Sequence, residues 1–297
     1  MPYKKVLFLY NENAGKQDIY QLVGICMRIL TKHMEQIYLC KTIKPLHAME
    51  LCEQYGEKVD LVIVLGGDGT VHECINGLSK LNKRPVLAIL PGGTCNDFTR
   101  TLEISQNIER ATEEIVNGSE VFIDVVQADE HYFLNFWGIG LIAETSNNIK
   151  EEEKNVFGKA SYLFSAVRTI NKIEDIHVNM EIDGKTIEED AVMVLIANGK
   201  YIGGKSIPFQ AIEYNDGFVD IFMIKNTTLN LLKEIIALRK EDTDEVMNKD
   251  IQYYRGKKVK VSTSHPVDVD MDGEIYTKTP NEINVLPNHL KVIKPVL

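Results

Sequence analysis

The chain has 297 residues, with 33 lysines and arginines against 43 aspartates and glutamates, giving a net charge of -10 at pH 7. That balance argues against broad binding to a nucleic-acid backbone and repels an anionic membrane surface, so a membrane contact needs a local patch such as YRGKKVK at 254–260. The cysteines at 26, 40, 52, 74 and 95 form no CxxC pair. With no apolar run near the ~20 residues of a membrane span, the expectation is a soluble cytoplasmic protein with reduced thiols and no transmembrane segment.

In chain order, short β-rich runs alternate with helix-like segments up to about residue 125: KKVLFLY, a helix over 18–34, IYLCKT, a helix over 46–55, VDLVIVL, a helix over 70–81, PVLAIL and a helix over 105–117. This is the grammar of a parallel α/β domain with helices on both faces. From VFIDVVQAD onward the chain turns β-rich and largely antiparallel, with Asp183-Gly184 as a hairpin signal in MEIDGKTI. Segments 141–149, 157–170 and 228–240 interrupt it as packing helices.

Two glycine turns follow predicted strands. VLGGDGTVHECINGL, residues 64–78, puts Asp68 inside the first, and PGGTCND, residues 91–97, repeats the design with Thr94, Asn96 and Asp97 entering a short helix. Glycines there let backbone amides approach a phosphate, and an acidic residue beside them suits a cation carried by a nucleotide. The other reading of Asp68 is a tight turn whose aspartate caps its own helix. NENAGK, residues 11–16, places a third loop at the same sheet edge, where ligands of such folds bind.

GKYIGGKS, residues 199–206, satisfies the nucleotide-binding P-loop pattern, but Pro208 and the YNDG turn at 214–217 leave little room for the helix that must follow. PVDVDMDGEIY, residues 266–276, alternates so that Asp268, Asp270, Asp272 and, if the strand runs through Gly273, Glu274 share one face. Crowded carboxylates raise one another's pKa, which can poise a general base or call for metal, while a solvent-facing edge accounts for Asp268 and Asp270. YNDGFVD carries Asp216 and Asp220 about a turn, and spacing favours a turn without metal.

Taken together, GGDGTVHECINGL, PGGTCNDFTR, PFQAIEYNDGFVD and the DGE of 272–274 resemble, in order, the motifs of the diacylglycerol kinase catalytic-domain family, which includes bacterial lipid kinases and sphingosine and ceramide kinases. The resemblance implies a phosphofructokinase/NAD kinase-like α/β domain over residues 1–125, joined by a return of about 284–297, and a largely antiparallel β-sandwich over 126–283. It implies that ATP is held by Asn11, Asn13, Ala14, Gly15, Lys16, Thr42, Gly66, Gly67, Asp68, Gly69, Thr70, Val71, His72, Glu73, Gly93, Thr94, Asn96 and Asp97. Magnesium would be organised by Asp68, Asp97 and Asp124, and a structural magnesium by Asp216 with the carbonyls of Glu213 and Phe218. Glu274 would be the general base, with Asp272 beside it, and Asp68 would serve the catalytic metal. The implied activity is ATP- and magnesium-dependent phosphorylation of diacylglycerol or a similar lipid, presented at the inner face of a membrane. A homodimer is left open, and NAD kinase and a silent lipid-binding regulator are the alternatives. Glu12, His72, Gly92 and Cys95 stand where family members usually have proline, asparagine, leucine, and alanine or threonine.

Overall fold

The computed structural model describes residues 3–15, 17–143, 175–207, 212–225 and 251–296. Lys16, Pro208, the expected helices over 157–170 and 228–240 and most of 141–149 lie outside these residues.

The first half alternates strand and helix: β1 (Lys5–Asn11), α1 (Ile19–Leu30), β2 (Gln36–Thr42), α2 (His47–Tyr55), β3 (Leu61–Gly66), α3 (Asp68–Leu78), β4 (Val86–Pro91), α4 (Asp97–Thr101) and α5 (Ile108–Asn117). Strands β2, β1, β3 and β4 lie side by side in parallel. Every residue of β3 and β4 is buried, as expected of central strands covered on both faces. Asp18 opens α1 by accepting the Tyr20 N–H at 3.0 Å, and Asn107 opens α5 by accepting that of Arg110 at 3.1 Å. The order 2-1-3-4 reverses direction between β1 and β3, so the loops after those strands diverge and leave a crevice at their carboxyl ends.

The second half comprises β5 (Ser119–Ala128), β6 (His131–Phe133), β7 (Phe136–Gly140), β8 (Ile176–Ile182), β9 (Lys185–Ala191), β10 (Met193–Ala197), β11 (Tyr201–Ile202), β12 (Lys205–Ser206), β13 (Val219–Ile224), β14 (Ile251–Gly256), β15 (Lys258–Thr263), β16 (Asp268–Met271), β17 (Glu274–Lys278) and β18 (Asn281–Lys294). Strand β18 pairs in parallel with β4 at Val292↔Leu87 and antiparallel with β5 and β15. It thereby carries the parallel sheet on into β15, β8 and β9. A second sheet, β14-β13-β10-β7-β16-β17, faces this extension, and Trp137, Met180, Val194, Ile221, Val261 and Met271 fill the space between. The architecture is thus a parallel α/β domain followed by an antiparallel β-sandwich. The other face of the six-stranded sheet is apolar as well, through Phe136, Leu195 and Phe222, which pack with Ile202 of β11 in a second buried cluster.

Residues 199–206 form no P-loop, in line with their sequence context: they make the β11–β12 hairpin with Gly203 and Gly204 at its tip, where φ is +61° and +77°. Two sequence expectations change here. The acidic strand does not run through Gly273. Asp272 and Gly273, with φ of +53° and +88°, are the two central residues of a tight hairpin turn pairing Met271 with Glu274. An irregularity at Val269/Asp270 also turns Asp270 inward, to 1% exposure, so a soluble edge does not explain it. The basic patch is largely neutralised, with Lys258 on Glu282 at 2.8 Å, Lys260 on Glu181 at 3.9 Å and Arg255 on Asp216.

Candidate active site

Three loops meet at the carboxyl ends of β1, β3 and β4, and they touch backbone to backbone. A Cβ on Gly93 would sit 2.4 Å from Gly67 Cα, one on Gly92 2.8 Å from Gly66 N, and one on Gly15 2.5 Å from Gly92 O. A Cβ on Gly66 would meet Thr70 at 2.7 Å, while Asn11 Nδ2 donates to Thr70 Oγ1 at 3.2 Å. The glycines therefore serve close approach of chain to chain, which turns several amides toward one space. Asn96, in the left-handed region at φ +53°, closes the third loop: its Oδ1 accepts Gly93 N–H at 2.8 Å and its Nδ2 donates to Gly93 O at 3.1 Å.

The space is a cleft of about 550 Å³, of a size that suits a small-molecule ligand. Asn11, Asn13, Ala14, Gly15, Thr42, Gly67, Asp68, Gly69, Thr70, Glu73, Gly93, Thr94, Asp97, Asp272 and Glu274 line it, as expected. Sequence reading missed Ile43, Lys44 and Pro45, Asp270 and Gly273, and an apolar side formed by Phe136, Ile142 and Ile202 with Gly203. The alternation of acidic residues was the available signal for Asp270; nothing local marked the apolar side. Among the described residues, Gly66, Val71, His72 and Asn96 stand behind the lining, in supporting positions.

Each aspartate holds backbone. Asp68 does not cap its own helix, since α3 begins on Gly67 with no side-chain cap; its two oxygens accept Asp97 N–H at 2.7 Å and Asn96 N–H at 3.0 Å. Asp97, 5% exposed, accepts Gly203 N–H and Gly204 N–H, both at 2.6 Å. Asp272 accepts Leu134, Asn135 and Phe136 N–H at 3.0, 2.8 and 3.0 Å, and His72 Nδ1 lies 3.3 Å from its Oδ2. His72, 2% exposed, is thus a strut between α3 and the 272–273 turn rather than a nucleotide contact. Glu73 accepts Leu46 and Ala48 N–H at 2.9 and 3.0 Å, which caps α2, a helix with no cap of its own. Glu12 is neutralised by Lys41 Nζ at 2.9 Å and Tyr20 Oη at 2.7 Å, and these bonds hold its carboxyl below the usual range.

Glu274 enters the cleft from the head of β17. Its Oε1 lies 3.1 Å from the place a Cβ on Gly69 would occupy, so the missing side chain at 69 leaves room for the carboxylate over the first turn of α3. Asp270 Oδ1 accepts Gly273 N–H at 2.7 Å and fixes the turn before it. Removing the Asp272 carboxylate strands three buried amides, so Asp272→Ala is expected to cost about 3–5 kcal/mol of stability. Chemical denaturation checks this, and a loss below about 1 kcal/mol would contradict the clamp.

Burial pushes the Asp68 carboxyl up, and pushes that of Asp97 up to about 7, with the Asp68 charge as the second cause. A folded value above the ordinary 3.8 favours the protonated form, so this group's contribution to stability is present in acid and is lost as pH rises through about 7. Melting temperatures between pH 5 and 8 should therefore fall more steeply in the wild type than in Asp97→Asn. Equal slopes would count against the assignment.

The cleft lining is acidic: Glu12, Asp68, Glu73, Asp97, Asp270, Asp272 and Glu274 face Lys44 alone among its described residues. A polyphosphate entering this field needs an accompanying cation. Asp68, open to the cleft, keeps further acceptor capacity on its oxygens and fits that cation. The other expected metal donors do not fit. Asp216, the expected carboxylate of the structural site, pairs with Arg255 and accepts Phe218 N–H at 3.0 Å. Asp124, fully buried, lies apart from the cleft lining and accepts Gly217 N–H at 2.6 Å and Asn288 N–H at 2.8 Å.

Residues 5–128 match the diacylglycerol kinase catalytic domain and residues 139–294 the YegS C-terminal NAD kinase beta sandwich-like domain. The chain belongs to the diacylglycerol kinase catalytic domain family. Among its relatives, a Staphylococcus epidermidis protein named "Putative lipid kinase" is 34% identical over 304 residues, covering 98% of this chain and 97% of the relative. A Staphylococcus aureus protein of the same name is 33% identical over 97% of this chain and 96% of its own length. A crystal structure described as that of "a putative diacylglycerol kinase" from Bacillus anthracis superposes with a TM-score of 0.90 at 39% identity, covering 99% of this chain and 98% of that one.

Proposed function

We propose that the protein transfers the γ-phosphate of ATP to the hydroxyl of a lipid, with diacylglycerol as the leading acceptor. The observation that carries this reading is the two-sided cleft: amide-rich glycine loops on one wall, Phe136, Ile142 and Ile202 on the other, and Glu274 between them. The loops after β1, β3 and β4 would hold the phosphates, and residues 42–45 after β2 would adjoin the nucleoside. Magnesium, held through Asp68, would neutralise the polyphosphate and polarise the transferred phosphoryl group. Glu274 would take the proton from the lipid hydroxyl as its oxygen attacks phosphorus. Asp272 holds the turn that aims Glu274, and the acyl chains would enter from a membrane surface along the apolar side of the cleft at Phe136, Ile142 and Ile202.

Consumption of ATP with magnesium, measured with detergent micelles carrying diacylglycerol and with empty micelles, tests the reading. Diacylglycerol is expected to stimulate consumption by at least about tenfold, as a reaction needing an acceptor requires. Stimulation by NAD instead, or equal rates in both micelles, would overturn it.

A further inference from the structure

The glycine hairpin at 199–206, which matches a phosphate-loop pattern without its fold, does have a place in the cleft. Its tip amides on Gly203 and Gly204 both donate to Asp97 at 2.6 Å, one to each carboxylate oxygen. At the hairpin's base Lys200 N–H donates to Thr101 Oγ1 at 3.1 Å. Asp97 and Thr101 are the first and last residues of α4, so this one short helix clips the hairpin at tip and base. Successive positive φ angles at Gly203 and Gly204 turn both amides the same way, toward a single anionic group. Ile202 and Gly203, immediately beside the clip, line the cleft on its apolar side.

We propose that Asp97 is a positioning residue for the acceptor: its carboxylate clasps the hairpin tip and so fixes the Ile202 wall against which an apolar acceptor lies. This rests on the lipid-kinase reading for the identity of the acceptor, but not for the clasp itself. It assigns Asp97 to the acceptor side, although its neighbours in sequence belong to a phosphate loop. The clasp joins the α/β domain to the sandwich across 106 residues of chain, and with the Lys200–Thr101 bond it holds the acceptor wall at a fixed distance from the phosphate loops.

Two variants and two readouts test it. Asp97→Ala removes both acceptors; Asp97→Asn keeps the shape and one carbonyl oxygen, so it retains one bond and guards against a folding defect. Hydrogen exchange of peptide 199–207 is expected to quicken by at least about tenfold in Asp97→Ala and by less in Asp97→Asn. In steady state, Asp97→Ala is expected to raise the KM for diacylglycerol about tenfold with the KM for ATP within about twofold. Unchanged exchange in both variants overturns the clasp. A raised KM for ATP or a raised magnesium requirement with an unchanged lipid KM overturns the acceptor-side role. Should the wild-type protein phosphorylate no lipid, the functional reading fails while the exchange result still decides the clasp.

Discussion

Replacing Glu274 with alanine is expected to lower turnover by about 10²–10⁴-fold, the range set by loss of a general base, while leaving nucleotide affinity within about twofold. The split follows from which elements carry the carboxylates. Asp68, Asp97 and Asp272 each hold two or more backbone amides, so changing any of them also moves main chain. Glu274 instead stands at the head of β17 beside Gly69, between the phosphate loops and the apolar wall. Truncating it removes a proton acceptor without parting the loops that hold ATP. Calorimetric titration with ATP and magnesium, set beside initial rates, checks both halves. A joint loss of binding and turnover would mean that Glu274 belongs to the nucleotide site.

The second large effect falls on binding. Gly93→Ala would place a methyl group 2.4 Å from Gly67 Cα and 3.0 Å from Asn96 Oδ1, contacts that backbone cannot relieve without movement. The glycine loops after β3 and β4 must then separate, and displacing phosphate-binding amides by about 1 Å costs on the order of 100-fold. The affinity for ATP with magnesium is expected to drop by at least that factor. Gly24→Ala, on α1 with nothing within 4 Å of the added carbon, supplies the contrast, since it should bind normally and stabilise the helix by up to about 1 kcal/mol. Equal affinity in Gly93→Ala and wild type would show that the loops do not form the phosphate site.

Much of this site was legible because its signals are local. Strand, glycine pair and helix follow one another directly along the chain at 61–78 and again at 86–101, and such punctuation reads the same in sequence as in space. The Asp183-Gly184 signal is likewise local, and the chain turns there with positive φ at both residues. What escaped was long-range pairing. Nothing near Asp216 announces Arg255, 39 residues on, which takes the carboxylate expected to bind metal. Asp124 gave no sign that it would hold Gly217 and Asn288 rather than join Asp68. Alternation misled at Asp270 because an irregular pairing shifts the side-chain period by one, which exchanges inside for outside. The GKYIGGKS pattern, which its context already argued against as a P-loop, does present glycine amides to an anion, but the anion is the side chain of Asp97.

The measurement that bears most directly on the central claim is the identity of the labelled product. Protein, magnesium and γ-labelled ATP are incubated in parallel with diacylglycerol micelles, sphingosine and NAD, with Glu274→Ala alongside. The cleft described here predicts label in the organic phase as phosphorylated diacylglycerol, absent in the variant. Label in NADP, or lipid label of equal amount in wild type and variant, would contradict it.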